Sequence, residues 1–372
     1  MPSIRDILPG TVALLGVPVG DADRLDLGAR LGQVSRVALL LVDGMGYHLL
    51  PEMAPHAPLL AAVLAGDAGS LTELSCTFPS TTPTSLVSLT TGVEAGEHGI
   101  LGFTLNVPGT DRVLTHIAWR DDPPAAEWQP VPTWFERLRQ AGTDTTVLLP
   151  GFFEGSGLTE AAYRGADFRG VSRDDDYAQR LLLELRARPG LVYGYVSKLD
   201  TAAHVHGIAS PEWARAAAAV DALLTRVLEG LPDDAALVVT ADHGGLDVAE
   251  DARIDVANAA ELSAGVRVVA GEPRVRYLHT VAGATPDVIA TWQAAVGDRA
   301  DVLHRDEAIE AGWFGPVLDR HRARIGDVVV ICTDEFAVLA TDHEPAEMSK
   351  LIGFHGAATP VETAIPLIAL RR

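Results

Sequence analysis

Residues 36–42, RVALLLV, form an unbroken apolar run, the pattern of a strand covered on both faces. Further along, 145–149, 191–196 and 237–240 repeat that pattern in short form. Helical periodicity lies between these runs. Residues 132–142, PTWFERLRQAG, alternate apolar and charged positions and stop at Gly142. Residues 174–187 read as an amphipathic helix, and 211–231 as a long Ala-rich helix capped by Ser210. Residues 80–91, STTPTSLVSLTT, predict a helix with Ser80 or Thr81 at its cap, Pro83 in its first turn and Gly92 at its end. Alternating helices and buried strands predict an α/β fold with a doubly wound, mostly parallel central sheet.

The pattern changes after about Ala249. The runs VRVVAG, PRVRYLHTV and VVVICT surround one clear helix, residues 285–296, and predict a smaller inserted α+β subdomain over 250–336. The core domain is then 1–249 and 337–372, re-entered through GFHGAATPVETAIPLIAL.

Composition narrows the function classes. The chain has 372 residues, 48% of them apolar, with a mean hydropathy of +0.17, which fits a packed globule. A formal net charge of −21 argues against a nucleic-acid polymer or an anionic membrane as partner, since both need a basic surface. Small anionic substrates stay compatible where cations make a pocket locally positive. Cys76 and Cys332 form no CxxC motif, so neither a disulfide framework nor a thiol redox site is expected. The opening MPSIRDILPGTVALLG has no basic stretch leading into a long apolar one, and no run reaches membrane-spanning length. The expectation is a cytoplasmic enzyme.

The apolar runs end on chemistry. LLLV leads to Asp43, LVVTA to Asp242 and His243, and IGF to His355. Strand ends of this kind put oxygen and nitrogen donors along one edge of a sheet, where α/β folds bind ligands. Each position also has a plain reading. Asp43 could bond its own turn, and Asp200 could cap a helix beside a surface histidine. Asp200 and His204 are four apart, so a helical turn puts them on one face, with His206 as a rival ligand. Asp342 and His343 end another apolar run, but without the two glycines that follow His243. Thr82 is the candidate nucleophile, a hydroxyl near a helix N-terminus where free N–H groups favour a phosphate. Ser80, Thr81 and Thr82 all qualify equally as simple caps. A threonine hydroxyl needs a metal or base to activate it.

Together these residues resemble the alkaline phosphatase superfamily, and most closely its nucleotide pyrophosphatase/phosphodiesterase and phosphonoacetate hydrolase branch. Thr82 stands ten residues before Gly92, and Thr91-Gly92 leads to His98-Gly99-Ile100. Asp200 to His204 resembles the branch's D-x-x-x-H element, Asp242-His243-Gly244 its D-H-G, and His355-Gly356 its last H-G. The resemblance spans residues 39 to 356. It implies an alkaline phosphatase-like core with two metal sites, one of Asp200, His204 and His355, the other of Asp43, Thr82, Asp242 and His243. The donors suit two divalent ions, Zn²⁺ foremost, with Mn²⁺ or Fe as alternatives. His98 is implied to be structural.

Two features depart from the pattern. Phe103 falls near the place of the branch's phosphate-binding Asn, with Asn106 three residues on. No Arg follows Thr82, leaving Arg274 or Arg276 of the insertion as substitutes for the clamp of monoester-specific enzymes. The sulfatase pattern is absent. The implied activity is hydrolysis of a phosphodiester or nucleotide pyrophosphate in a small phosphorylated substrate, through a phosphothreonine. Phosphonate C–P hydrolysis and phosphomonoester hydrolysis are the alternatives within the superfamily. A metal-binding module without catalysis is the alternative outside it.

Overall fold

The computed structural model describes residues 2–18, 23–172 and 176–372. Its centre is a seven-stranded sheet in the spatial order Ser70–Ser75, Ala364–Leu370, Ala235–Thr240, Arg36–Val42, Gly190–Val196, Thr145–Pro150 and Asp167–Val171. The strand Arg36–Val42 pairs in parallel with both Gly190–Val196 and Ala235–Thr240. Ala364–Leu370 runs antiparallel to both of its neighbours, so the sheet is mostly parallel. Val37 to Val42 are completely buried because helices cover both faces, which explains an apolar run without alternation.

The helices follow their sequence signals. Thr133 caps Trp134–Gln140 in a capping box with Glu136, and the Ser210 hydroxyl accepts from the Trp213 amide to start Pro211–Gly230. The helix expected from Asp174 is described as Tyr177–Ala187, capped by Asp176, and Asp174 lies outside the described residues. Thr82–Thr91 begins at Thr82 with Thr81 as the cap residue, and Gly92 ends it in the left-handed region. Among the described residues no helix is long and apolar enough to cross a membrane.

A second antiparallel sheet has the order Val266–Glu272, Val275–Thr280, Val328–Cys332 and Ala300–His304. The helix Thr285–Val296 packs on it, and the two share a separate hydrophobic cluster that includes Val288, Trp292 and Val330. At its base Arg253–Asp255 pairs with Ala337–Leu339, so the apolar cluster runs from Val256 to Ala340. The tight hairpin between Glu272 and Val275 turns back into the main core, where Arg274 and Val275 are fully buried.

Candidate metal centre

Parallel pairing in register brings the carboxyl ends of three neighbouring strands together. Asp43 follows Arg36–Val42, and its amide donates to the Val196 carbonyl at 2.9 Å. Asp242 and His243 follow Ala235–Thr240, and both are fully buried. Lys198–His206, entered from Gly190–Val196, carries Asp200 and His204 one turn apart. His355 follows the short strand Gly353–Phe354, and Thr82 opens its helix. Close backbone approach is needed between these turns. A Cβ on Gly244 would stand 2.0 Å from the Val361 oxygen, so only glycine fits there.

The seven predicted residues converge. Asp43, Asp242 and His243 present ligand atoms within 4.8 Å of one another, and so do Asp200, His243 and His355. His204 joins through its Nε2, 3.2 Å from Asp200 Oδ2 and 3.3 Å from His355 Nε2. Thr82 Oγ1 lies 3.1 Å from His243 Nε2. His243 therefore stands between the two implied shells, its ring stacked on His355 at 3.6 Å. The rival ligands stay outside. His206 is exposed, and Asp342 and His343 pair with each other at 3.4 Å while about half exposed.

Backbone contacts aim the imidazoles. The Nδ1 atoms of His204, His355 and His243 lie 2.7, 2.9 and 2.8 Å from the carbonyls of Gly353, Ser80 and Gly244. A carbonyl can only accept, so Nδ1 carries a proton in each ring and Nε2 faces inward as the atom a cation would bind. The Tyr195 hydroxyl donates to Asp43 Oδ2. Asp43 Oδ1 and Asp242 Oδ2 are buried without a hydrogen-bond partner.

The electrostatics match this crowding. Burial, reinforced by Asp242 and Asp200, holds the Asp43 carboxyl well above the usual carboxylate range. Burial likewise raises Asp242, against the pull of His243. Burial would also raise Asp200, but His204, His355 and His243 hold it below its ordinary value. His204 is pushed up to about 9, because the Asp200 carboxylate outweighs burial. Burial and His243 push His355 well below its ordinary value. Inward imidazole nitrogens beside carboxylate oxygens buried without a partner form a donor set that divalent cations would satisfy. The donors fit them.

Several important groups gave little sign in the sequence. Tyr195 reads as one more residue of a buried strand, yet its hydroxyl reaches Asp43. Glu272 and Glu362 read as ordinary turn acids but are buried. Arg274 and Arg276 are corrected as substitutes for a phosphate clamp. Arg274 makes a bidentate ion pair with Glu362, Nε to Oε1 at 3.0 Å and Nη2 to Oε2 at 2.8 Å, while Arg276 is bound to Glu344. Both guanidinium groups are almost inaccessible. His98 is also buried, its Nε2 2.8 Å from Ser88 Oγ, as its structural reading implied. Near the expected oxyanion position, the Phe103 amide donates to Glu272 Oε1 at 3.4 Å, and Asn106 Oδ1 is buried without a partner.

A mostly parallel sheet with Asp, His and Thr donors gathered at its carboxyl edge defines the class as metal-centred phosphohydrolases of the alkaline phosphatase superfamily. The chain belongs to the type I phosphodiesterase/nucleotide pyrophosphatase family, whose sequence pattern matches residues 37–358. Solved structures share the fold. Murine ectonucleotide pyrophosphatase/phosphodiesterase 5 superposes with a TM-score of 0.73 at 16% identity, covering 91% of this chain and 88% of that one. An inactive threonine-to-alanine variant of that murine protein, in complex with AMP, matches equally well. Phosphonoacetate hydrolase from Sinorhizobium meliloti, in complex with phosphonoacetate, gives a TM-score of 0.68 at 20% identity, covering 91% and 90%. No curated protein matches the chain by sequence.

Proposed function

We propose that this chain hydrolyses phosphodiesters or pyrophosphates of small, nucleotide-like substrates, with Thr82 as the nucleophile. The observation that carries this reading is the Thr82 hydroxyl, half-buried at a helix N-terminus and 3.1 Å from His243 Nε2, beside both carboxylate–imidazole clusters. Thr82 Oγ1 gives up its proton and attacks phosphorus in line, the bond to the leaving oxygen breaks, that oxygen takes up a proton, and a phosphothreonine forms. Water then attacks the same phosphorus, the bond from phosphorus to Thr82 Oγ1 breaks, and Thr82 regains its hydroxyl proton. The helix N-terminus favours the phosphoryl charge throughout. Asp200, His204 and His355 would hold one divalent cation, and Asp43, Asp242, His243 and Thr82 the other. When bound, such cations supply Lewis acidity that lowers the hydroxyl pKa and neutralises charge on the oxygens. The mixed nitrogen and oxygen donors favour Zn²⁺ over Mn²⁺ or Fe.

Diesters rank ahead of monoesters because the two arginines nearest to a clamp role are held in buried ion pairs. A second reading, hydrolysis of a C–P bond, is supported by the shared fold with phosphonoacetate hydrolase. The test is turnover of bis-p-nitrophenyl phosphate, p-nitrophenyl phosphate and a phosphonate panel by metal-loaded protein. The diester is expected to react fastest. Much faster monoester cleavage, or phosphate release from phosphonoacetate alone, would reverse the order. Thr82→Ala should keep its metal and lose turnover by on the order of 10³-fold or more. Equal turnover by that variant would remove Thr82 from the chemistry.

A further inference from the structure

The tip of the inserted hairpin is an unusual place for a lone acid. Glu272 ends Val266–Glu272 and is 3% exposed. Two-residue hairpin turns usually lie in solvent, where an acidic residue needs no partner. Here the neighbouring charges are already engaged. Arg276 is bound to Glu344 and Glu362 to Arg274, while the Tyr277 hydroxyl donates to the Leu101 carbonyl at 2.6 Å. The other titratable group that acts on it is His204, across the wall of the metal centre. Among the described residues no cationic nitrogen makes an ion pair with the Glu272 carboxyl. Burial pushes its carboxyl up to about 8.

Its contacts bracket the reacting threonine. Oε1 accepts from the Phe103 amide, in the loop after the His98-Gly99-Ile100 turn. The Thr81 hydroxyl, one residue before Thr82, lies close enough to lower the Glu272 pKa, yet it is buried outside bonding geometry. On the third side is Gly356, one residue after His355. A Cβ there would fall 2.9 Å from both Cγ and Cδ of Glu272, and its φ of +134° also calls for glycine. Segments 80–82 and 355–357 are themselves interlocked. The Ser80 amide donates to the Gly356 carbonyl at 2.9 Å, and the Ser80 hydroxyl donates to the Ala357 carbonyl at 2.7 Å. Glu272 sits across the joint between them.

We propose that Glu272 is a positioning residue: a carboxyl delivered by the insertion that holds the nucleophile segment, the His355 turn and the Phe103 loop in register and so sets where Thr82 Oγ1 points. This rests on the reading of Thr82 as nucleophile. It gives the inserted hairpin a role in the rate of the reaction, beyond any part in choosing substrate. Glutamine keeps an acceptor for the Phe103 amide and the packing against Gly356, whereas alanine removes both and leaves a void.

The test compares Glu272→Gln, Glu272→Ala and Thr81→Val as metal-loaded full-length proteins. With bis-p-nitrophenyl phosphate, Glu272→Ala should lose about 30- to 100-fold in kcat, the size of effect expected for a displacement near 1 Å, with KM changed by less than about threefold. Glu272→Gln should stay within about threefold of wild type. Thr81→Val should fall in the same direction, and combining it with Glu272→Ala should add little. A wild-type kcat for Glu272→Ala or for Thr81→Val overturns the proposal, and so does a Gln variant as slow as Ala. If Glu272→Ala does not fold, the Gln and Val variants decide alone. Hydrogen exchange supplies a readout free of turnover. Faster exchange confined to residues 77–85, 101–104 and 353–358 in the folded variant supports the role, and unchanged exchange there overturns it. Those results hold even if the wild type cleaves no phosphoester, which would instead defeat the functional reading.

Discussion

Gly244→Ala offers the sharpest test of how the site is held. The ideal Cβ would stand 2.0 Å from the Val361 carbonyl oxygen, where about 3 Å is the closest real approach, so the turn or its neighbour must retreat by about 1 Å. Val361 cannot easily give way. It adjoins Glu362, whose carboxylate is locked to Arg274 and whose carbonyl accepts the Gly244 amide at 2.8 Å. The displacement therefore falls on the turn carrying Asp242 and His243. A misplacement of that size near reacting atoms lowers kcat by about 100-fold, or about 2.7 kcal/mol of barrier. Gly245→Ala is the matched control, since its Cβ would meet only the Phe354 oxygen at 3.2 Å, and it should lose far less. The assay is kcat on a phosphodiester, with metal content and thermal midpoint measured on the same samples. A Gly244→Ala protein with full metal and wild-type kcat would refute the packing argument.

Arg274→Met should destabilise the fold by about 3–5 kcal/mol, because it leaves Glu362 as a buried, unpaired carboxylate, and pairing it with Glu362→Gln should recover part of the loss. Urea denaturation checks this, and a loss under about 1 kcal/mol would contradict it. The stabilisation given by added Zn²⁺ should shrink from pH 8 to pH 5.5. Asp43 and Asp242 have raised carboxyl pKa values, so their ionisation opposes folding of the metal-free chain above those values and that penalty fades as pH falls. Protons compete with the cation in the same direction. Melting curves with and without Zn²⁺ at both pH values test the sign, and an equal gain at each would refute it.

The hydrophobic pattern along the chain was enough to call the parallel strands and most helices, because burial on both faces leaves a local signature. The ends of two of those strands also marked Asp43, Asp242 and His243, and the end of a short antiparallel strand marked His355, since an apolar run stopping at a polar residue and a glycine is visible without coordinates. Helical spacing did the same for Asp200 and His204. Partnership was invisible. Arg274 and Arg276 look alike in PRVRYLH as candidate anion binders, and only the packed hairpin shows each guanidinium already neutralised.

Glu272 makes the same point from the other side. In AGEPRV it has the local character of a solvent-facing turn acid, and nothing within ten residues says otherwise. Burial of a hairpin tip is decided by what the rest of the chain packs around it, here segments from residues 81, 103 and 356. His243 follows the same logic. Its chemistry was legible from the run that ends on it, but its place between two ligand clusters comes from three strand ends and a helix meeting in space. Periodicity reports what each residue needs locally, whereas charge pairing and shared contacts depend on residues far away in sequence, and only the folded chain brings those together.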